Sequence, residues 1–220
     1  MGTQILGNTA ANIAEVESAT KALRVTPKPI DYGSLGIYSL GTSNGGTAMA
    51  AGLAANSPIW AFRWGNASNL AVVKKVILSA GNSATAFANG SFTFNMFVAR
   101  SWSVSDTGGT AITIGTGNKL KSSTMGSSLV TDVRTSATAT LTAGTRTKDA
   151  NPIGSISCGI PATAGTTLLN PTPLFLAQDG DYPIVLAQNE GLVIEATVPG
   201  TGTWFFSVQI QWEELASYLP

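Results

Sequence analysis

GLVIEATVPGTGTWFFSVQIQWE, residues 191–213, decides the fold class of this chain. Leu192, Ile194, Ala196 and Val198 share one parity, and Val193, Glu195 and Thr197 share the other. After Pro199-Gly200-Thr201-Gly202, a second run puts Trp204, Phe206, Val208, Ile210 and Trp212 on one face. Phe205, Ser207, Gln209, Gln211 and Glu213 fall on the opposite face. Side chains alternate along a strand, so each run reads as a strand with one apolar side. Two such runs joined by a Gly-rich connection predict a β-hairpin with a loop of about four or five residues. The large apolar side chains of the second run contribute roughly 1.5–3 kcal/mol each when buried, and burying them needs a second layer. The rest of the chain is therefore expected to supply the other strands of a sandwich or barrel.

Working outward, Leu35–Leu40 reads as a short strand and Gly41–Thr47 as a loop, while Ala48–Ala55 fits neither pattern clearly. Pro58–Trp64 puts Trp60, Phe62 and Trp64 on one parity, an aromatic-faced strand beginning at a proline. Leu70–Ala80 is apolar except for Lys74 and Lys75, which suit an exposed or edge position. Phe92, Phe94, Met96 and Val98 alternate with Thr93, Asn95, Phe97 and Ala99, and that strand can be extended toward Val104. Asp106–Thr110 reads as a turn, Ala111–Ile114 as a short strand and Gly115–Ser128 as a long loop. Leu129–Leu141 and Pro152–Ile160 are weaker strands divided by Gly144–Asp149. Pro161, Pro171, Pro173 and Pro183 make 161–183 an irregular excursion, and Ile184–Ala187 leads back to the organising pair. Only Glu213–Tyr218 has a helical pattern near the C-terminus. Roughly eight to ten strands without alternating helices predict an all-β protein. A jelly-roll-like antiparallel β-sandwich over residues 35–220 is the expected architecture, with another Greek-key sandwich as its rival.

Residues 1–34 differ from the remainder. They carry Glu15, Glu17, Lys21, Arg24, Lys28 and Asp31, a quarter of the charges in the chain. Asn12–Leu23 fits a short helix, and Thr26-Pro27-Lys28-Pro29 forces an extended segment after it. The segment is too short for a core of its own. It is expected to be an extended or partly helical N-terminal arm, lying either on a neighbouring subunit or along its own sandwich.

Composition narrows function. Lys+Arg and Asp+Glu number 12 each, so the net charge is zero and nothing favours direct binding to nucleic acid or an acidic membrane. Only 11% of residues are charged, against about 25% in an average soluble domain. Such a surface is expected to be covered by copies of the chain or by another protein; a secreted β-protein with an uncharged polar surface is the alternative. No apolar run approaches the roughly 18–20 residues of a membrane span. The absence of histidine removes His-based triads, general bases and metal ligands. Cys158 is the only cysteine, so no intrachain disulfide forms, and it reads as a small buried residue. The opening MGTQILGNTAANIAEVE lacks the basic and apolar regions of a signal peptide, and Leu6 stands where an acylation motif needs Ser or Thr.

The chemical motifs are weak. Asp106-Thr107-Gly108 matches the tripeptide of aspartic-protease centres, but that chemistry needs a second carboxylate about 3 Å away and the chain has no second copy. Asp179-Gly180-Asp181 with Glu190 offers oxygens for calcium but not the ordered set a calcium loop requires. Glu213 and Glu214 are adjacent, so their side chains diverge. Ser18 and Lys21 have Ser-x-x-Lys spacing without companion motifs. Asn66-Ala67-Ser68 and Asn89-Gly90-Ser91 match glycosylation sequons, and Gly115-Thr116-Gly117 lacks the rest of a phosphate loop. Trp60, Phe62, Trp64, Trp102, Trp204 and Trp212 could stack on sugars, but their alternation assigns them to the core. No catalytic, cofactor-binding or metal-binding residue is assigned, and no enzyme activity is expected.

Two stretches carry a resemblance. LRVTPKPIDYGSLG at 23–36, and the closing segments Leu186–Ile194 and Trp212–Leu215, resemble small virion proteins of tailed bacteriophages. The resemblance implies a non-enzymatic structural protein of the particle, foremost a decoration or cement protein bound to the major capsid protein or other virion proteins. It implies residence in the virion after assembly in the host cytoplasm, as a homo-oligomer with a trimer favoured. A tail, fibre or surface module recognising a host carbohydrate or protein, and a major coat protein, are the alternatives.

Overall fold

The computed structural model describes residues 35–44, 49–50, 53, 56–114, 125–160, 163, 167–178 and 181–218. All lie within one compact unit, Gly33–Pro220. The expected arm at 1–34, with its Asn12–Leu23 helix, falls outside the described residues, as do Asp179, Gly180 and Gly115–Thr124.

Thirteen strands and no helix are found among the described residues. They are β1 Gly36–Ser43, β2 Met49–Ala50, β3 Ser57–Trp64, β4 Leu70–Asn82, β5 Gly90–Arg100, β6 Thr110–Ala111 and β7 Asp132–Thr135. The others are β8 Thr147–Lys148, β9 Gly154–Ile160, β10 Thr167–Leu176, β11 Ile184–Leu186, β12 Glu190–Thr197 and β13 Thr203–Leu215. One sheet runs β1-β13-β4-β10, with β2 also on β13 and β11 also on β4. The other runs β6-β7-β3-β12-β5-β8, with β9 also on β5.

The eight principal strands pair from the outside inward. β1 pairs β13, β3 pairs β12, β4 pairs β10 and β5 pairs β9, all antiparallel. β13 on β4 and β12 on β5 then close these pairs into two sheets. This nested order is a jelly roll, as the alternation and turn spacing predict. Its core is aromatic: Phe92 lies 4.5 Å from Phe94 and 4.9 Å from Trp204, and Trp212 lies 5.2 Å from Phe62 and 5.5 Å from Tyr38, centroid to centroid. Trp60, Phe62, Trp64, Trp102, Trp204 and Trp212 are all fully buried.

The structure corrects several expectations. Residues 191–213 do not form a hairpin: β12 and β13 lie in different sheets, each between two other strands. Their apolar faces both need cover, and placing the strands in opposite layers lets each supply part of the other's. Gly202, at φ +106°, takes a backbone conformation that side chains disfavour in the connection between them. The excursion 161–183 contains a ten-residue strand, β10. It lies at the sheet edge, pairing only with β4 through several register shifts, where Pro171 and Pro173 need no N–H on the open side. Lys74 and Lys75 do not mark an edge, because β4 is an interior strand; they sit at the register shift opposite Gln211 and Trp212. β1 continues through Gly41–Ser43, where a loop was expected, whereas Leu129–Leu141 yields only β7. β5 stops at Arg100, before Ser101 at φ +50°, and β13 replaces helix as far as Leu215. Cys158 is half-buried on β9, and desolvation pushes its thiol pKa up.

Candidate functional site

Residues 101–109 and 141–149 strap the outer face of the β3-β12-β5 sheet. Ala61, Ala99 and Val193 face away from the main core there and pack with Trp102 and Leu141. Gly191 makes room for the indole, since a Cβ at that position would stand 2.7 Å from the Trp102 ring. Arg63 holds the first strap segment, donating to the carbonyls of Trp102 (2.8 Å) and Ser103 (3.0 Å) and to Ser105 Oγ (3.1 Å). Arg146 lies 4.8 Å from the Trp102 ring centroid and pairs with Asp106.

This places the protease-like tripeptide. Asp106 is fully buried, and its Oδ1 accepts from the Gly144 N–H (2.9 Å) and from Arg146. Gly108 and Gly109 turn the chain after it at φ +78° and +55°. The carboxylate is enclosed and held by an arginine, whereas the protease arrangement has a second carboxylate at an open cleft. It clamps the two strap segments together.

Most of the other ionic groups are also fastened internally. Lys148 Nζ donates to both Glu195 oxygens at 2.7 Å and lies 4.3 Å from the Phe97 ring centroid. Lys74 pairs with the buried Glu213 at 3.1 Å. Arg100 meets Asp149 and Glu190, and those hydrogen bonds, Asp149 first, raise its pKa. Asp181 closes a turn by accepting from the Gln178 N–H (3.1 Å). Glu190 closes a different turn by accepting from Ala187 N–H (2.9 Å), so the two do not form a shared oxygen set. Among the described residues, no cluster of acidic groups or cysteine suits a metal ion.

Glu213 and Glu214 diverge as their adjacency predicts, but both are buried. Glu214 points inward beneath the 125–130 segment. It accepts from Ser128 Oγ (2.7 Å), Leu129 N–H (3.0 Å) and Trp212 Nε1 (3.1 Å). Desolvation raises its carboxyl pKa against the opposing effect of these donors. The Tyr38 hydroxyl donates to the Gly126 carbonyl (2.9 Å), and its pKa is raised by burial and then by the Glu214 charge.

An open feature lies on the opposite sheet. A shallow groove of about 350 Å³ crosses the outer face of β1-β13-β4-β10. Register aligns its lining in two transverse rows, Gly41–Gln209–Ile77 and Ser43–Ser207–Ser79, with Pro171 of β10 at the rim. The Ser79 and Ser207 hydroxyls are 2.7 Å apart, so one donates to the other. All the side chains lining the groove are uncharged. Local sequence pattern does not reveal this groove, because its rows join three strands far apart in the chain. Its signal was the polar parity of Ser207 and Gln209, visible in the alternation of 203–213.

No protein-family model, curated protein or solved structure matches this chain.

Proposed function

We propose that this chain is a non-enzymatic structural protein of a tailed-bacteriophage particle, reinforcing the capsid surface through protein–protein contacts. The observation that carries the reading is how the ionic groups are engaged. Every arginine among the described residues, together with Lys74 and Lys148, is tied to a carboxylate or carbonyl of its own chain. The exposed positions they leave are mostly Ser, Thr, Gly, Asn and Gln, whose uncharged groups cost less to desolvate against a partner than charged ones do. The jelly roll is an architecture that capsid domains use, and it is shared with lectins, so the fold supports the reading by analogy alone. The resemblance of residues 23–36, 186–194 and 212–215 to phage virion proteins supplies the particle. Major capsid protein is the expected partner.

The test is antibody labelling of purified virions from the phage that encodes the sequence, with mass spectrometry for copy number. Many copies on the capsid are expected. Label confined to a tail tip would move the protein to a recognition role, and its absence from particles would overturn the reading.

A further inference from the structure

We infer that the groove on the β1-β13-β4-β10 sheet is a binding site for a neutral saccharide of one or two rings, an inference that does not rest on the virion reading. The groove's volume, about 350 Å³, lies at the lower end of the roughly 300–1,000 Å³ typical of small-molecule sites. A neutral sugar presents hydroxyls that both donate and accept, together with apolar C–H faces. The lining offers the complementary mixture. In the Ser79–Ser207 pair one hydroxyl donates to the other, leaving one O–H and several lone pairs for a ligand. The exposed Gln209 amide adds a donor and an acceptor. Ile77 and Pro171 supply apolar surface between these polar groups.

Phe205 extends the site. It is 45% exposed and shares the outward parity of Ser207, paired in register with Gly81 one row from the two serines. The tip of its ring occupies the space that a Gly81 side chain would take, with Cε1 3.0 Å from the position of such a Cβ. This places an exposed aromatic beside a hydroxyl-lined groove, where a sugar ring can stack. The lining itself carries no charge, which favours a neutral ligand; Lys75 stands one row beyond Ile77 and Gln209 on the same outer face, so an anionic sugar is the competing outcome that the test separates.

Gly41 provides a specific test, because a Cβ there meets nothing within 4 Å and the backbone is extended. Gly41→Ile projects a branched side chain into the groove from a position where the Cβ is unobstructed, and retention of the fold is checked by its urea midpoint. The full chain is screened on an array of neutral and sialylated glycans, and the best neutral hit is titrated calorimetrically. The expected result is a neutral hit whose affinity falls at least tenfold in Gly41→Ile and again in Ser79→Ala/Ser207→Ala, with little change in 0.5 M NaCl. No neutral hit, hits confined to sialylated glycans, or an affinity unchanged in Gly41→Ile would each overturn the proposal. Solution mass and recovery in virions are measured on the same variants. Their loss in Gly41→Ile without any sugar binding would make the groove a protein contact and overturn the saccharide site, while leaving the virion reading in place.

Discussion

Glu214 places a carboxyl inside the sandwich, and three donors from two segments converge on it. Because burial raises its pKa, the folded state holds the proton more tightly than the unfolded chain. The stability from this group is fully present below the unfolded value and is lost as pH rises through the folded one. Glu214→Gln abolishes that loss, so its stability relative to the parent should increase between pH 4 and pH 7, read as a difference in urea midpoints. A difference independent of pH would refute the assignment. Asp106 and Arg146 behave in another way. Neither has appreciable exposure, so Asp106→Ala strands the guanidinium and should cost about 3–5 kcal/mol in urea unfolding. A cost below about 1 kcal/mol would mean that the pair does not clamp the straps. The tripeptide around Asp106 was legible as a turn. Its buried partner was not, because Arg146 lies 40 residues away and only the strap over Gly191 brings them together.

At the scale of elements, the strands with strict alternation were legible: β3, β5, β12 and β13 emerge near the positions that parity assigns. β10 was hidden by its prolines, because edge placement is a property of the sheet. The connection between β12 and β13 is ambiguous in the sequence for a related reason. A Gly-rich link between two amphipathic strands suits a hairpin and an inter-sheet arch equally, and the choice depends on which neighbours flank each strand. Gly202 is the critical residue of that arch. Its φ of +106° disfavours a side chain, and a Cβ there would come within 2.9 Å of the Phe87 backbone. Gly202→Ala should therefore destabilise the protein by about 1–3 kcal/mol in thermal or urea unfolding, with Gly200→Ala, which has open space, as the near-neutral control. Equal effects at the two positions would contradict the arch geometry.

At the scale of the whole molecule, a low charge content is combined with internal pairing of most of the charges that remain. Association through such a surface should depend little on salt: light scattering at 0.1 M and 1 M NaCl should give the same oligomeric mass, although the screening length falls from about 10 to about 3 Å. Dissociation at 1 M would show that exposed ion pairs hold the assembly. The sequence by itself determined the all-β class, the aromatic identity of the core and the charge-poor character of the chain. All three follow from local periodicity and composition, which survive without knowledge of neighbours. The tertiary structure alone decided that β12 and β13 lie in opposite sheets and that Asp106 meets Arg146. It also decided that Gly41, Ser79, Ser207 and Gln209 share one groove. These are pairings between distant positions, set when the two sheets close around a common core, and no local pattern encodes them.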